Sequence, residues 1–191
     1  MGKIFCIMGK SASGKDTIYK KLLADKSLGL CRVVPYTTRP MRTSEKNGGD
    51  YFFVSNGRFE EMKAAGRVIE SRTYQTVHGP WTYFTADDGQ IADRGRYLIV
   101  GTLDVYRALQ AHFGRDQVSA IYLDMDDGLR LERALARERS QERPDYAEMC
   151  RRYLADSKDF SEENLKAAGI TKRYQNKDLE TCLEAIKKDI L

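Results

Sequence analysis

The chain has 191 residues, 41% apolar and 31% charged, with a formal net charge of +4. That length suits one α/β domain with a small inserted lobe and excludes two full domains. The modest charge excludes a general nucleic-acid surface but leaves anionic small molecules, provided the positive charge is concentrated in one place.

Residues 4–8 form a continuous apolar run and read as a buried strand, far too short for a signal or membrane segment. The span 16–24 follows as a helix, and 31–34 is a shorter buried strand. Residues 98–101 and 118–123 repeat the strand pattern, and 104–113, 126–139, 146–160 and 179–190 read as helices. Strand–helix alternation implies a mostly parallel sheet wrapped by helices, with ligands at the carboxyl ends of its strands. The expected fold is therefore a P-loop-type α/β core over residues 1–35 and 86–191. Residues 36–85 break the alternation with aromatics, Gly, Thr and Arg and one helical stretch near 59–65. They read as an inserted mixed or antiparallel lobe. Cys6, Cys31, Cys150 and Cys182 are too widely spaced for a zinc site or a disulfide framework, so reduced thiols in a cytoplasmic protein are expected.

Gly9-Lys10-Ser11-Ala12-Ser13-Gly14-Lys15-Asp16-Thr17 follows the first strand and opens the first helix. This G-x-x-x-x-G-K spacing is that of a loop whose backbone N–H groups cradle a nucleotide triphosphate while Lys15 reaches the β/γ-phosphates. The helix that follows points its positive end at the anion. After the lysine such loops carry Ser or Thr as a Mg²⁺ ligand, but here Asp16 stands there, with Thr17 next. Both become candidate metal ligands, Asp16 facing the ion because its charge would otherwise oppose the phosphates.

The lobe carries Tyr36-Thr37-Thr38-Arg39-Pro40-Met41-Arg42, then Glu45, Asn47-Gly48-Gly49-Asp50-Tyr51-Phe52-Phe53-Val54-Ser55, Glu70 and His78-Gly79. With the phosphate loop, these motifs in this order strongly resemble the guanylate kinase family, and the likeness extends over almost the whole chain. Two arginines three apart with a tyrosine hydroxyl near suit a phosphate monoester. The resemblance implies that Arg39, Arg42 and Tyr51 hold the acceptor's phosphate. It also puts Glu70 against guanine, whose N1–H and N2–H₂ are adjacent donors. Tyr36, His78, Gly79 and Thr102 occupy further acceptor-site positions, though His78 reads equally as a loop residue. The chain departs from the family at Tyr36, where a serine is usual. It departs again at Val100-Gly101-Thr102, where the family carries D-x-D near metal and base. Asp16 is expected to supply the carboxylate missing at Val100.

Seven arginines lie between residues 130 and 152, and Arg130, Arg133 and Arg137 share one helix face. Cations closing over the moving phosphoryl group would stabilise its charge. The resemblance favours Arg133, Arg137 and Arg152 in a lid over about 133–152, with Arg130 and Arg143 solvent-facing. Residues 140–145 read as an insertion relative to the family. Asn176 reads either as a helix-capping residue or, by resemblance, as a neighbour of the adenine of ATP. The sequence thus points to an ATP- and Mg²⁺-dependent nucleoside monophosphate kinase, with GMP or dGMP as acceptor. Its catalytic residues would be Lys15, Arg39, Arg133, Arg137 and Arg152. Another monophosphate, or a binding module of the same fold, are the competing readings. No nucleic-acid or membrane partner is expected, and the protein should be a monomer or homodimer.

Overall fold

The structure is a computed structural model that describes residues 2–43, 45–76 and 79–191. In chain order the core begins with β1 (Lys3–Gly9), α1 (Lys15–Ala24) and β2 (Leu30–Arg32). The lobe contributes β3 (Tyr36–Thr37), β4 (Phe52–Phe53), α2 (Asn56–Ala64), β5 (Val68–Thr76) and β6 (Gly79–Ala86). The core resumes with β7 (Arg96–Val100), α3 (Leu103–Phe113), β8 (Val118–Asp124), α4 (Asp127–Arg139), α5 (Tyr146–Asp159), α6 (Glu162–Ala167), β9 (Tyr174–Gln175) and α7 (Leu179–Ile190).

The core sheet is parallel throughout, ordered β2-β7-β1-β8-β9. Both of its faces are covered, which is why its central strands are apolar along their length rather than alternating. Successive side chains of β1 enter different layers. Ile4, Cys6 and Met8 pack with Val105, Tyr106 and Leu109 of α3 and Leu165 of α6. Phe5 and Ile7 pack with Ile18 and Leu22 of α1 and Leu183 and Ile186 of α7. Gly101 follows β7 where a Cβ would lie 2.8 Å from Cys6 Sγ and 2.9 Å from Val105, so the chain turns there only without a side chain.

The lobe is a mixed sheet, β4-β3-β6-β5, in which β3 and β4 run parallel and the other pairs antiparallel. Phe59 and Met62 of α2 pack under one face with Tyr36, Val68 and Phe84. Because side chains alternate along a strand, Glu70, Arg72 and Tyr74 of β5 share the other face with Trp81, Tyr83 and Thr85 of β6. That face looks into the cleft.

The predicted elements recur with shifts of one to three residues, β2 being shorter than expected because Val34 bonds the Gln90 side chain instead of a strand. α6 was not anticipated; it is short and is capped by Ser161, whose side chain accepts from Asn164 N. The last strand, directly before Asn176, is β9, a two-residue edge strand.

Candidate active site

Every α-helix of the described residues except α1 has a side chain accepting a hydrogen bond at its N-terminus. At α1 the cap is Gly14, with φ 85°, and no side chain serves its first N–H groups. Those donors lie open at the positive end of a helix, where an anion is the natural partner. Asn176 explains the glycine. Its amide donates to the Ser13 carbonyl at 2.7 Å, and a Cβ at position 14 would sit 2.3 Å from that same nitrogen. Asn176 is 3% exposed, and α7 is capped by Asp178. The helix-capping reading of Asn176 is therefore replaced by that of a strut holding the loop's backbone. Ala12 completes the curl in the left-handed region at φ 63°, unusual for a residue with a Cβ.

Above this loop lies a cavity of about 440 Å³, lined by Ser11, Ala12, Gly14, Lys15, Asp16 and Thr17 below and Arg133, Arg137 and Arg152 above. The three lid arginines singled out by sequence thus meet the phosphate loop. Arg133 and Arg137 are exposed and form no salt bridge among the described residues, whereas Arg152 pairs with Glu148 at 3.3 Å. Lys15 has its amine 3.7 Å from the Asp16 carboxylate.

Arg130 behaves otherwise than expected. It is fully buried rather than solvent-facing, because α5 packs against that turn of α4. Its guanidinium donates to Asp127 at 3.0 Å and to Ser157 at 3.2 Å, and lies 3.7 Å from the Tyr153 ring. Asp156, 3.8 Å from Arg130, accepts from the Ser11 backbone N–H at 2.6 Å. Lys10 donates to Asp127 at 3.1 Å. Burial opposes ionisation of Asp127, but Lys10 and Arg130 together hold its carboxyl below the usual range. The tip of the phosphate loop is thereby tied to both lid helices.

A second cavity, of about 320 Å³, is lined by Asp16, Glu45, Tyr51 and Val100 among others. Asp16 lines both cavities, and its side chain is 78% exposed. No group of three potential metal ligands gathers among the described residues. Asp16 and Thr17, both exposed where the two cavities meet, nevertheless suit an ion that keeps its waters and takes phosphate oxygens.

Beyond Tyr51 the cleft continues into about 350 Å³ lined by Tyr51, Arg72, Tyr74, Trp81 and Tyr83. Arg39 is 4% exposed beside it, gripped by Glu45 through a two-pronged pair at 2.5 and 2.7 Å. The bond to Arg39 pulls the Glu45 carboxyl down to about 2. The Arg39 Nε donates to the Tyr83 hydroxyl at 3.1 Å and an Nη to the Pro40 carbonyl at 2.9 Å. With five N–H groups on a guanidinium, one remains for a ligand. Arg42 is exposed, with its backbone N–H on Glu45 and no guanidinium bond to the described residues. Arg39 is hence chiefly an anchor, and Arg42 the free cation. The Tyr51 ring lies edge-on to Tyr83 at 5.6 Å, and burial raises its hydroxyl pKa.

Glu70 accepts from Thr85 at 2.8 Å and from Arg72 at 3.2 Å, and Arg72 also donates to Thr102 at 3.3 Å. Arg72 was not singled out by sequence, although its i, i+2 spacing from Glu70 on a strand was the available signal. Tyr36 is not in the cleft. It stands on the α2 face, stacked on Phe84, with its hydroxyl on Asp88. Gly79 opens β6 at the far end of the hairpin, and His78 lies outside the described residues.

The guanylate kinase family model matches residues 1–105, more than half of the chain. The chain belongs to the guanylate kinase family. Among curated relatives it is 42% identical over 79 residues to the guanylate kinase of Nitrosomonas europaea, an alignment covering 41% of this chain and 37% of that one. It is 33% identical over 122 residues to the guanylate kinase of Neisseria meningitidis serogroup A, covering 64% and 58%. The chain thus spans less than two thirds of the length of these relatives. The crystal structure of guanylate kinase from Anaplasma phagocytophilum matches its fold with a TM-score of 0.66 at 19% identity, over 99% of this chain and 84% of that one. Within the family, the chain carries Asp16 after the loop lysine, Val100 at the end of β7 with Thr102 two residues on, and Arg72 two residues after Glu70. Among the described residues no helix is long and apolar enough to cross a membrane.

Proposed function

We propose that the protein is an ATP-dependent nucleoside monophosphate kinase that phosphorylates GMP or dGMP. The observation that carries this reading is the meeting of two cavities at Asp16, one roofed by Arg133, Arg137 and Arg152, the other walled by Glu45, Tyr51 and Val100. Two anionic nucleotides can be placed end to end across that point.

ATP would lie with its β/γ-phosphates against the N-terminus of α1 and Lys15, beside Asn176, whose own hydrogen bond keeps the Ser13–Gly14 backbone curled. Mg²⁺ bound with ATP would be held by Asp16, with Thr17 beside it, and would neutralise phosphate charge. The acceptor's phosphate would face Arg42, Tyr51 and the remaining N–H of Arg39. A phosphate oxygen of the acceptor attacks the γ-phosphorus, the bond to the β-bridging oxygen breaks, and ADP leaves. No side chain becomes covalently attached. Arg133, Arg137 and Arg152 meet the charge spread over the moving group, and the lid keeps water from attacking in the acceptor's place. The remaining contribution is positioning.

A coupled ADP-release assay with ATP–Mg²⁺ against GMP, dGMP, AMP, CMP and UMP tests the proposal. Turnover with GMP or dGMP is expected. Turnover with another base alone moves the substrate assignment, and no ADP release with any acceptor removes the kinase reading.

A further inference from the structure

We propose that Arg72 is a base-reading residue, donating a hydrogen bond to the O6 carbonyl of the acceptor guanine. The inference deepens the proposed GMP kinase reading and rests on it.

Arg72 lies two residues after Glu70 on β5, so both project from the same face of the lobe. Its side chain is 29% exposed and lines the cleft cavity beside Tyr51, Trp81 and Tyr83, while Glu70 is 9% exposed behind it. The guanidinium is already oriented: Nε is fixed on Glu70 at 3.2 Å and Nη1 on Thr102 at 3.3 Å. Nη2 has no hydrogen-bond partner among the described residues. A ligand meeting Glu70 from the cleft therefore finds carboxylate acceptors next to guanidinium donors.

Each Glu70 oxygen accepts one bond within the protein, from Thr85 and from Arg72, and each retains a further lone pair. Guanine complements this arrangement along one edge. Its N2–H₂ and N1–H donate to the carboxylate, and its adjacent O6 accepts from the guanidinium. Adenine is mismatched at both positions, since its N1 lone pair would face the carboxylate and its N6–H₂ the guanidinium. Arg72 is held in turn by Thr102 at the start of α3. The core helix and the lobe strand are thus joined through the residue that reads the base.

The probe is 6-thio-GMP, which keeps N1–H and N2–H₂ but replaces O6 with a poor acceptor. Measured as kcat/KM by ADP release, the wild-type chain should prefer GMP by about tenfold to a hundredfold, the range of a hydrogen bond to a charged group. In Arg72→Met that preference should shrink to less than about twofold. A merely structural role would lower both substrates equally and leave the ratio intact. Equal turnover of the two nucleotides by the wild type, or an unchanged ratio in Arg72→Met, overturns the inference while leaving the kinase reading standing. Absence of GMP turnover in the wild type overturns both. The wild-type ratio needs no variant, so the proposal stays testable even if Arg72→Met misfolds.

Discussion

The Asn176 amide nitrogen, 2.7 Å from the Ser13 carbonyl oxygen, occupies the space that any side chain at position 14 would need. One residue from the far edge of the sheet thus fixes both the shape of the phosphate loop and the identity of its second glycine. Gly14→Ala adds a Cβ at a left-handed φ of 85° and drives it to 2.3 Å from that amide. Loss of ATP-dependent turnover is expected in the ADP-release assay. Asn176→Ala leaves the buried Ser13 carbonyl without that donor and should cost about 1–3 kcal/mol of stability in a denaturant titration. A variant at position 14 with wild-type activity would show that the two residues do not interlock.

Replacing Asp16 by Ser restores the residue usual after a P-loop lysine. If Asp16 supplies the carboxylate that Val100 cannot, Asp16→Ser nevertheless loses Mg²⁺-dependent turnover. Steady-state rates across a Mg²⁺ titration give the answer, and a variant with full activity would sink the assignment.

Arg130→Met removes a buried cation from between Asp127 and Asp156. Breaking a buried pair costs about 3 kcal/mol or more, and Asp127, about half exposed, keeps the loss near the lower end. For a chain of this size that is a fall in Tm of about 6–12 °C by calorimetry. Arg143→Ala, on the exposed segment between α4 and α5, should stay within about 0.5 kcal/mol of the parent. Similar melting temperatures for the two variants would contradict the burial of Arg130.

The Arg39–Glu45 pair sets a pH window for the lobe. Glu45 has a folded pKa pulled down to about 2, below the ordinary glutamate value of about 4.3. Its contribution is therefore complete above the unfolded value and disappears as pH falls through about 2. Trp81 is the only tryptophan and lines the lobe cavity, so its fluorescence reports the lobe directly. The emission should hold steady from pH 8 down to about 5 and change below that. In Glu45→Gln, which cannot ionise, the pH-dependent change attributable to this pair should vanish.

What the sequence made legible depended on the range of the interactions concerned. The phosphate loop was readable because its chemistry is local, a run of nine residues whose spacing alone states the backbone path. The three lid arginines at the cavity were readable through the family resemblance, helix spacing adding only that Arg133 and Arg137 share one face. Arg130 shares that face by spacing, yet the turn that carries it is covered by Tyr153 and Asp156, more than twenty residues away in the chain. No pattern within α4 encodes such a neighbour. Tyr36 shows the same limit on a strand, since its neighbours Phe84 and Phe52 come from β6 and β4, and this pairing decides which face it takes. Arg39 was assigned to the ligand, but folding brings Glu45 and Tyr83 onto it first.

The tie between Asp156 and the Ser11 backbone, with Lys10 on Asp127 beside it, has a mechanical consequence. The feet of α4 and α5 are pinned to the floor of the cavity above the phosphate loop, so lifting the pair as a rigid flap would break these bonds. Under the proposed function, substrate exchange would therefore come from flexing above the pin, toward residues 140–145. Arg137, farther along α4 from the pin than Arg133, would then travel the greater distance to reach the transferred phosphate.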